Sequence, residues 1–144
     1  MTTAIAAYAV DKMVSSILHY ILPNLSKMYT SHKSLNDLSD INDSQFPCLL
    51  ETIETLIADT KLKNKDNKTI NACIHRLEIT IKNIHTTLIE INDISISYTN
   101  SYWKYFTNPY LYDKNGIYLI DKLKKYRKQL KEEFDMFYKI LLLK

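Results

Sequence analysis

The sequence INACIHRLEITIKNIHTTLIEI, residues 70–91, carries the strongest structural signal in this chain of 144 residues. Its aliphatic residues recur at alternating intervals of four and three positions, which places them on one face of a helix. They are Ile70, Ile74, Leu77, Ile81, Ile84, Leu88 and Ile91. The pattern predicts a helix over residues 68–95, about 40 Å long at about 1.5 Å per residue. Such a helix needs partner helices to cover its apolar face.

Two further helices are predicted on the N-terminal side of this stretch. The first covers residues 3–22, where apolar residues return every four positions. Pro23 ends or kinks it, because proline has no amide hydrogen and its ring disfavours a helical residue before it. Residues 24–43 are rich in Ser, Asn and Asp and form a connection, with a short helix around residues 25–29. The second helix begins near Ser44, which caps its first amides, and carries the stripe Phe46, Leu49, Leu50, Ile53, Leu56 and Ile57.

The remaining segments are a turn, an aromatic segment and a last helix. Residues 61–68 have too little apolar content to pack and are predicted as an exposed turn. Residues 98–112 contain Trp103, Phe106 and five Tyr, and Pro109 interrupts them, so we expect a short helix and a loop. The last helix is predicted over residues 117–143, with Ile120, Leu123, Leu130, Phe134, Phe137 and Leu141 on one side.

These patterns predict an all-α fold: an antiparallel four-helix bundle with an additional short aromatic helix and a long C-terminal helix. The composition agrees, because Ile and Leu supply 18 residues each while Gly occurs once, and no long segment alternates apolar with polar residues. With 46% hydrophobic and 24% charged residues, the chain fits one domain over residues 1–144.

Several kinds of site are absent from the sequence. A single glycine, Gly116, excludes the glycine-rich loops that bind nucleotide phosphates. Cys48 and Cys73 have no metal-ligand spacing. His75 and Glu78 form one i, i+3 pair, which we interpret as solvated surface because a metal site needs more converging ligands. We therefore expect no enzymatic activity and no cofactor.

Charge is strongly segregated along the chain, although the formal net charge is only +3. Residues 35–60 contain six acids and no Lys or Arg, residues 61–82 contain six bases against two acids, and residues 122–131 contain six bases and no acid. The basic segments could bind anionic lipid or form the solvated backs of amphipathic helices. Nucleic acid is disfavoured, since no known binding module is recognisable. Without an export signal, the expected location is the cytoplasm.

The C-terminal half resembles a known family in three stretches. They are ACIHRLEITIKNIHTTLIEI (residues 72–91), SYWKYFTN (residues 101–108) and IDKLKKYRKQLKEEFDMF (residues 120–137). Together they are similar to the N-terminal four-helix-bundle domain of mixed-lineage kinase domain-like proteins, over roughly residues 44–142. Trp103 and Phe106 correspond to its aromatic element, and Leu123, Leu130 and Phe134 to the Leu-x6-Leu-x3-Phe spacing of its closing helix. The small apolar opening of the chain is also similar to the first helix of fungal HeLo domains and of plant coiled-coil resistance proteins.

This resemblance implies a cell-death executioner module of the necroptosis or immune-defence type. Such a module oligomerises with copies of itself, moves from the cytoplasm to a membrane, binds anionic phospholipids and permeabilises the bilayer, under an upstream kinase or nucleotide-binding receptor domain. By position, we expect lipid contact from Lys61, Lys63, Lys65, Lys68, Lys122, Lys125 and Lys128. The membrane-inserting residues would be Ile5, Ala9, Val10, Met13 and Ile17. Core or brace packing is expected from Trp103, Phe106, Leu123, Leu130 and Phe134.

Two other interpretations stay open at this point. The first helix can equally be a plain core helix, because periodicity does not separate a bundle core from a membrane contact. The chain as a whole can also be a helical adaptor or a viral-type inhibitor that binds a protein partner without membrane activity.

Overall fold

The structure, a computed structural model, describes residues 10–25, 45–63, 66–100 and 114–143. These residues form four helices and no strand. Helix α1 covers residues 10–25, with a π-helical turn at Ile17–Ile21. Helix α2 is Gln45–Lys63, α3 is Lys68–Asn100 and α4 is Lys114–Leu142. The predicted all-α class is therefore confirmed. The predicted short aromatic helix, with Trp103 and Phe106, lies outside the described residues.

The seven aliphatic residues predicted to form the inner face of α3 are all buried, none more than 1% exposed. They belong to one hydrophobic core to which each of the four helices contributes. From α4 this core receives Leu123, Leu130 and Phe137. Helix α3 extends five residues beyond its predicted end at residue 95, to Asn100.

Pairs of contacts fix the relative directions of the helices. Thr80 of α3 meets Gln129 and Glu133 of α4, while Glu90 to Ile94 lie beside Tyr118 and Leu119, so α3 and α4 run antiparallel. The Ser16 hydroxyl lies 3.2 Å from Nε2 of His85, and Asn24 Nδ2 donates to Asn92 Oδ1 at 2.6 Å. These two pairs make α1 parallel to α3.

Helix α2 is antiparallel to its neighbour α3, because only four residues of the chain separate its end at Lys63 from the start of α3 at Lys68. Asn67 begins α3 as its cap: its side-chain Oδ1 accepts from the amide of Ile70 at 3.0 Å. At the other end, the Arg127 guanidinium lies 4.7 Å from the ring centre of Phe46, which places the start of α2 beside the middle of α4. The directions alternate along the chain, as in an antiparallel four-helix bundle.

Pro23 is predicted to end or to kink α1, and the structure excludes the first of these two outcomes. Pro23 does not end the helix at residue 22, because helical geometry continues to residue 25 and Leu25 is fully buried. Proline would clash with the carbonyl four residues earlier, that of His19. The helix widens to a π-helical turn in this region, where the amide of Leu22 donates to the carbonyl of Ile17. This widened turn accommodates the proline without ending the helix.

Candidate functional site

The basic segment of α4 places six cations on three consecutive helical turns, with no carboxylate between Lys122 and Lys131. Four of them are exposed: Lys124, Lys125, Lys128 and Lys131. Lys122 and Arg127 are half-buried. Of the three lysines predicted for lipid contact in this segment, Lys125 and Lys128 therefore present their ammonium groups to solvent.

Lys122 is held differently from the other two. Its ammonium lies 5.7 Å from the ring centre of Tyr118 and 5.8 Å from that of Tyr126, one helical turn away on either side. Both distances fall within the range of a cation–π interaction. This packing directs Lys122 along its own helix, between the two rings.

A groove of about 600 Å³ lies between the start of α2 and the basic segment of α4. We call it the α2–α4 groove. Its apolar lining comes from Phe46, Leu49 and Phe134. Its polar lining consists of Gln45, Lys124, Arg127, Lys128, Lys131 and Asp135. Four cations and one carboxylate thus surround an apolar floor.

Arg127 connects the two parts of this groove. Its guanidinium stacks over the ring of Phe46, which is itself buried in the core. The stack fixes a cation from α4 directly above an aromatic residue of α2, as a cation–π pair does. The groove is therefore a feature of two packed helices, with charge and apolar surface held side by side.

Of the four cations that line this groove, only Lys128 is among the lysines predicted for lipid contact. The other three are not predicted, although positions 124, 127, 128 and 131 have the spacing of a single helical face. That spacing is a signal in the sequence. The contribution of Gln45, Phe46 and Leu49 had no such signal, because nothing local states which helix packs beside α4.

The predicted basic turn at residues 61–68 requires a correction. Helix α2 continues through Lys63, and Lys61 forms an ion pair with Glu78 of α3 at 3.2 Å, the two side chains being 15% and 10% exposed. Lys61 is therefore a helix-packing residue in this structure and not an exposed lysine. Glu78, interpreted from the sequence as solvated surface, is its buried partner, while His75 is exposed.

The other lysines of this region remain near the surface. Lys63 pairs with Asp59 at 3.2 Å, one helical turn earlier, with side chains 71% and 53% exposed. Lys68 is exposed at the first position of α3. Lys65 lies outside the described residues.

The residues predicted to enter a membrane from α1 pack inside the bundle in this structure. Val10 and Ile17 are buried and Met13 is half-buried against the core. Ile5 and Ala9 lie outside the described residues. Among the described helices, none has the length and hydropathy that crossing a bilayer requires.

The predicted packing residues of α4 belong to the core. Leu123 and Leu130 are buried, and Phe134 packs partly buried against them. The ring of Phe134 also lies 6.2 Å from that of Tyr138. Trp103 and Phe106 are not among the described residues.

Two titratable contacts join α1 to its neighbours. Glu54 of α2 forms a hydrogen bond with Asp11 of α1. The pKa of Glu54 is raised to about 7, first by burial, then by this hydrogen bond and by the nearby charges of Asp11 and Glu51. Across the other interface, burial lowers the pKa of His85, whose ring nitrogen lies beside the Ser16 hydroxyl. The docking of α1 is thus sensitive to pH on two sides.

Clustered ligands for a metal are lacking in the part of the chain that the structure describes, where no three His, Cys, Asp or Glu side chains converge. Cys73 is buried in α3, and Cys48 is an exposed thiol on α2.

Comparisons of this chain with models of protein families, with characterised proteins and with solved structures found no significant match. The similarity to mixed-lineage kinase domain-like proteins stays a prediction from the sequence.

Proposed function

We propose that this helical bundle is a cell-death executioner-type module that oligomerises, binds anionic phospholipids and permeabilises membranes. The observation that carries the proposal is the basic segment of α4, with four exposed cations beside an apolar groove. Each basic residue near an anionic membrane contributes on the order of 1 kcal/mol, so several on one helix bind a bilayer surface. The proposal includes no catalytic activity.

Permeabilisation requires insertion into the bilayer in addition to surface binding, and α1 is the helix proposed to insert. Its apolar residues are covered by the bundle, so insertion requires α1 to leave α2 and α3. The contacts that hold it include polar pairs such as Asn24 with Asn92 and Ser16 with His85. Hydrogen bonds of this kind are exchanged readily for water, which lowers the cost of separation. Copies of the chain would then associate on the membrane.

Dye release from vesicles tests this function. The full chain is expected to release dye from vesicles that contain cardiolipin or phosphatidylinositol phosphates, and not from vesicles of phosphatidylcholine alone. Ile5→Asp combined with Ala9→Asp should leave vesicle binding intact and abolish release, because a carboxylate in an inserting helix is costly at about 2.5–3.5 kcal/mol.

Thr55→Asp combined with Ala58→Asp is the matched control, because it adds two carboxylates at exposed positions of α2, outside the helix proposed to insert. It should release dye as the unmodified chain does. Equal release from neutral and anionic vesicles, or no release at all from either, contradicts the proposed function.

A second candidate function is that of a helical adaptor or inhibitor that binds a protein partner. The observation that favours it is the same open groove, since the half-buried side chains of Leu49 and Phe134 present apolar surface between two helices. If the chain has this function, a protein partner should co-purify with it, and Leu49→Glu should abolish that co-purification. The chain should then not bind vesicles.

A further inference from the structure

Exposed apolar side chains gather at the C-terminal end of α4. Among the described residues, nine large apolar side chains are exposed, and four of these lie within residues 136–143: Met136, Tyr138, Leu142 and Leu143. The two leucines are the most exposed of the four, at 67% and 86%. We call residues 136–143 the apolar end of α4. Single exposed apolar residues are common on proteins, whereas a group of them marks a surface that contacts a partner.

The apolar end shares one side of α4 with exposed lysines. Leu142 follows Lys128 by fourteen residues and Leu143 follows Lys125 by eighteen, which is about four and about five helical turns. The helical course continues to this point, because the amide of Leu143 donates to the carbonyl of Lys139 at 3.3 Å. Lys139 is itself exposed, one turn before the leucines. Lysines and leucines therefore point away from the core on the same side of the helix.

We propose that the apolar end of α4 enters the headgroup boundary of an anionic bilayer, with the lysines of the same side of the helix against the lipid phosphates. The proposal rests on the proposed function and makes it specific, because it names the face of the bundle that meets the bilayer. Membrane binding then has two parts, attraction of the lysines and burial of the leucines. This contact precedes the release of α1, because the apolar end is exposed while α1 is still packed in the bundle.

The charges on this part of α4 favour an anionic surface. Between positions 125 and 143 the exposed lysines are Lys125, Lys128, Lys131 and Lys139, and the exposed carboxylates are Glu132 and Asp135. Exposed lysines therefore outnumber exposed carboxylates there. Lys139 lies within the apolar end itself, so its long aliphatic stem can cover apolar surface while its ammonium reaches a phosphate.

A bilayer fits this composition better than a protein partner does. Lysine is depleted in protein interfaces, and leucine is under-represented among the residues that carry most of their binding energy. A symmetric pair of two copies through the apolar end would bring Lys139 of both copies to one patch, because such an interface uses the same surface twice. Like charges oppose that pairing. An anionic bilayer meets the same lysines with opposite charge.

Vesicle binding by a leucine variant tests this contact. Leu142→Ser with Leu143→Ser should lower the affinity for vesicles that contain cardiolipin at least about tenfold. The ratio should be the same in about 0.1 M and about 0.5 M salt, since salt screens charges and does not weaken apolar burial. Leu62→Ser with Ile79→Ser, at exposed residues of α2 and α3, is the matched control and should bind as the unmodified chain does. Circular dichroism checks that both variants keep their helices. Unchanged affinity of the Leu142 and Leu143 variant overturns the proposal.

A fluorescent label reports the surroundings of the apolar end directly. In a chain with Cys48→Ser, whose other cysteine, Cys73, is buried, the label is attached at Leu143→Cys or, as the control, at Leu62→Cys. Emission from position 143 should shift to the blue with cardiolipin vesicles and not with phosphatidylcholine vesicles, and emission from position 62 should stay unchanged. A shift without vesicles that grows with protein concentration identifies a second copy as the occupant and overturns the proposal. Equal shifts with both kinds of vesicle, or at both positions, also overturn it.

The two proposals fail in different ways. A blue shift at position 143 with anionic vesicles, without release of their contents, contradicts the proposed function alone. Release of vesicle contents with neither a blue shift at position 143 nor a loss of affinity on Leu142→Ser with Leu143→Ser contradicts the contact through the apolar end alone.

Discussion

Lys61 and Lys63 stand two positions apart and have different environments. Lys61 points to α3 and pairs with Glu78, with little of either side chain exposed, whereas the pair of Lys63 with Asp59 is open to solvent. A charge left unpaired in a buried position is costly, while an exposed ion pair contributes little because water screens it. The two lysines therefore separate a packing role from a surface role.

Alanine at these positions tests that difference. Lys61→Ala should lower the free energy of unfolding by about 2–3 kcal/mol, since Glu78 loses its partner between α2 and α3. Lys63→Ala should change it by less than about 0.5 kcal/mol. Urea denaturation measures both. Equal effects of the two substitutions would show that Lys61 is as solvated as Lys63.

Glu54 provides a test by pH. Its pKa is raised from 4.5 to about 7, first by burial and then by the hydrogen bond to Asp11, so the folded chain keeps a proton that the unfolded chain has lost. The contribution of Glu54 to the free energy of unfolding is therefore greatest below pH 4.5. It falls as the pH rises from 4.5 to about 7. Above about pH 7 the folded chain also ionises Glu54, and the full cost of a buried charge is present.

Glu54→Gln should remove this cost, because glutamine keeps a donor toward Asp11 and carries no charge. At about pH 8 the variant should be more stable than the unmodified chain by roughly 1–2 kcal/mol, a few degrees in Tm, after allowance for solvent screening. Near pH 4, below the pKa of the group in the unfolded chain, the two should melt at nearly the same temperature. A constant difference in Tm between these two pH values would mean that Glu54 does not titrate in this range.

At the scale of the helices, the α3–α4 interface contains a polar contact inside an aliphatic core. The hydroxyl of Thr80, 1% exposed, donates to Glu133 and accepts from Gln129 Nε2 at 3.4 Å. Gln129 also donates to Glu133 at 3.4 Å. The three side chains fix one register between the two long helices, because a shift of either helix would leave the buried hydroxyl without partners.

Valine in place of threonine measures this contact. Thr80→Val keeps the shape but removes the hydroxyl, and should destabilise the fold by about 1–2 kcal/mol. Thr87 offers the matched control: it is equally buried, but its hydroxyl donates to the Asn83 carbonyl of its own helix at 2.8 Å. Thr87→Val should cost less than about 0.5 kcal/mol. Thermal unfolding compares them, and an equal loss from both would remove the case for a register contact.

The predictable part of the fold follows from local periodicity. The helix over residues 70–91 and its buried face are visible in the sequence because burial repeats with the helical period. Leu123 and Leu130 of α4 are buried for the same reason. Capping by Asn67 and the π-helical turn before Pro23 are also local features, yet neither is among those predicted from the sequence.

The contacts between helices were not predictable in this way. Lys61 with Glu78 and Thr80 with Glu133 join residues 17 and 53 positions apart, and they depend on which helices become neighbours. The same holds for the α2–α4 groove: the four cations of α4 share a helical face in the sequence, but Phe46 and Leu49 join them only after packing. Local spacing therefore predicts one wall of the candidate site and not the other.

At the scale of the molecule, charge and apolar surface are arranged around α4. The segment from Lys122 to Lys131 has no carboxylate, while the acids Glu51, Glu54 and Asp59 lie on α2. A modest net charge of +3 thus hides a basic segment of α4, from Lys122 to Lys131, that presents four lysines to solvent. The proposed membrane binding depends on the attraction of this surface to an anionic bilayer. Salt weakens this attraction, because at about 0.1 M ionic strength charges are screened beyond about 10 Å.

Flotation with vesicles that contain cardiolipin measures this attraction, using two charge reversals of equal size. Lys125→Glu with Lys128→Glu changes exposed lysines of α4, and Arg76→Glu with Lys82→Glu changes exposed cations of α3. The unmodified chain and the α3 variant should float with the vesicles, whereas the affinity of the α4 variant for the vesicles should be at least about tenfold lower. Equal flotation of the α4 variant and the unmodified chain would contradict the account.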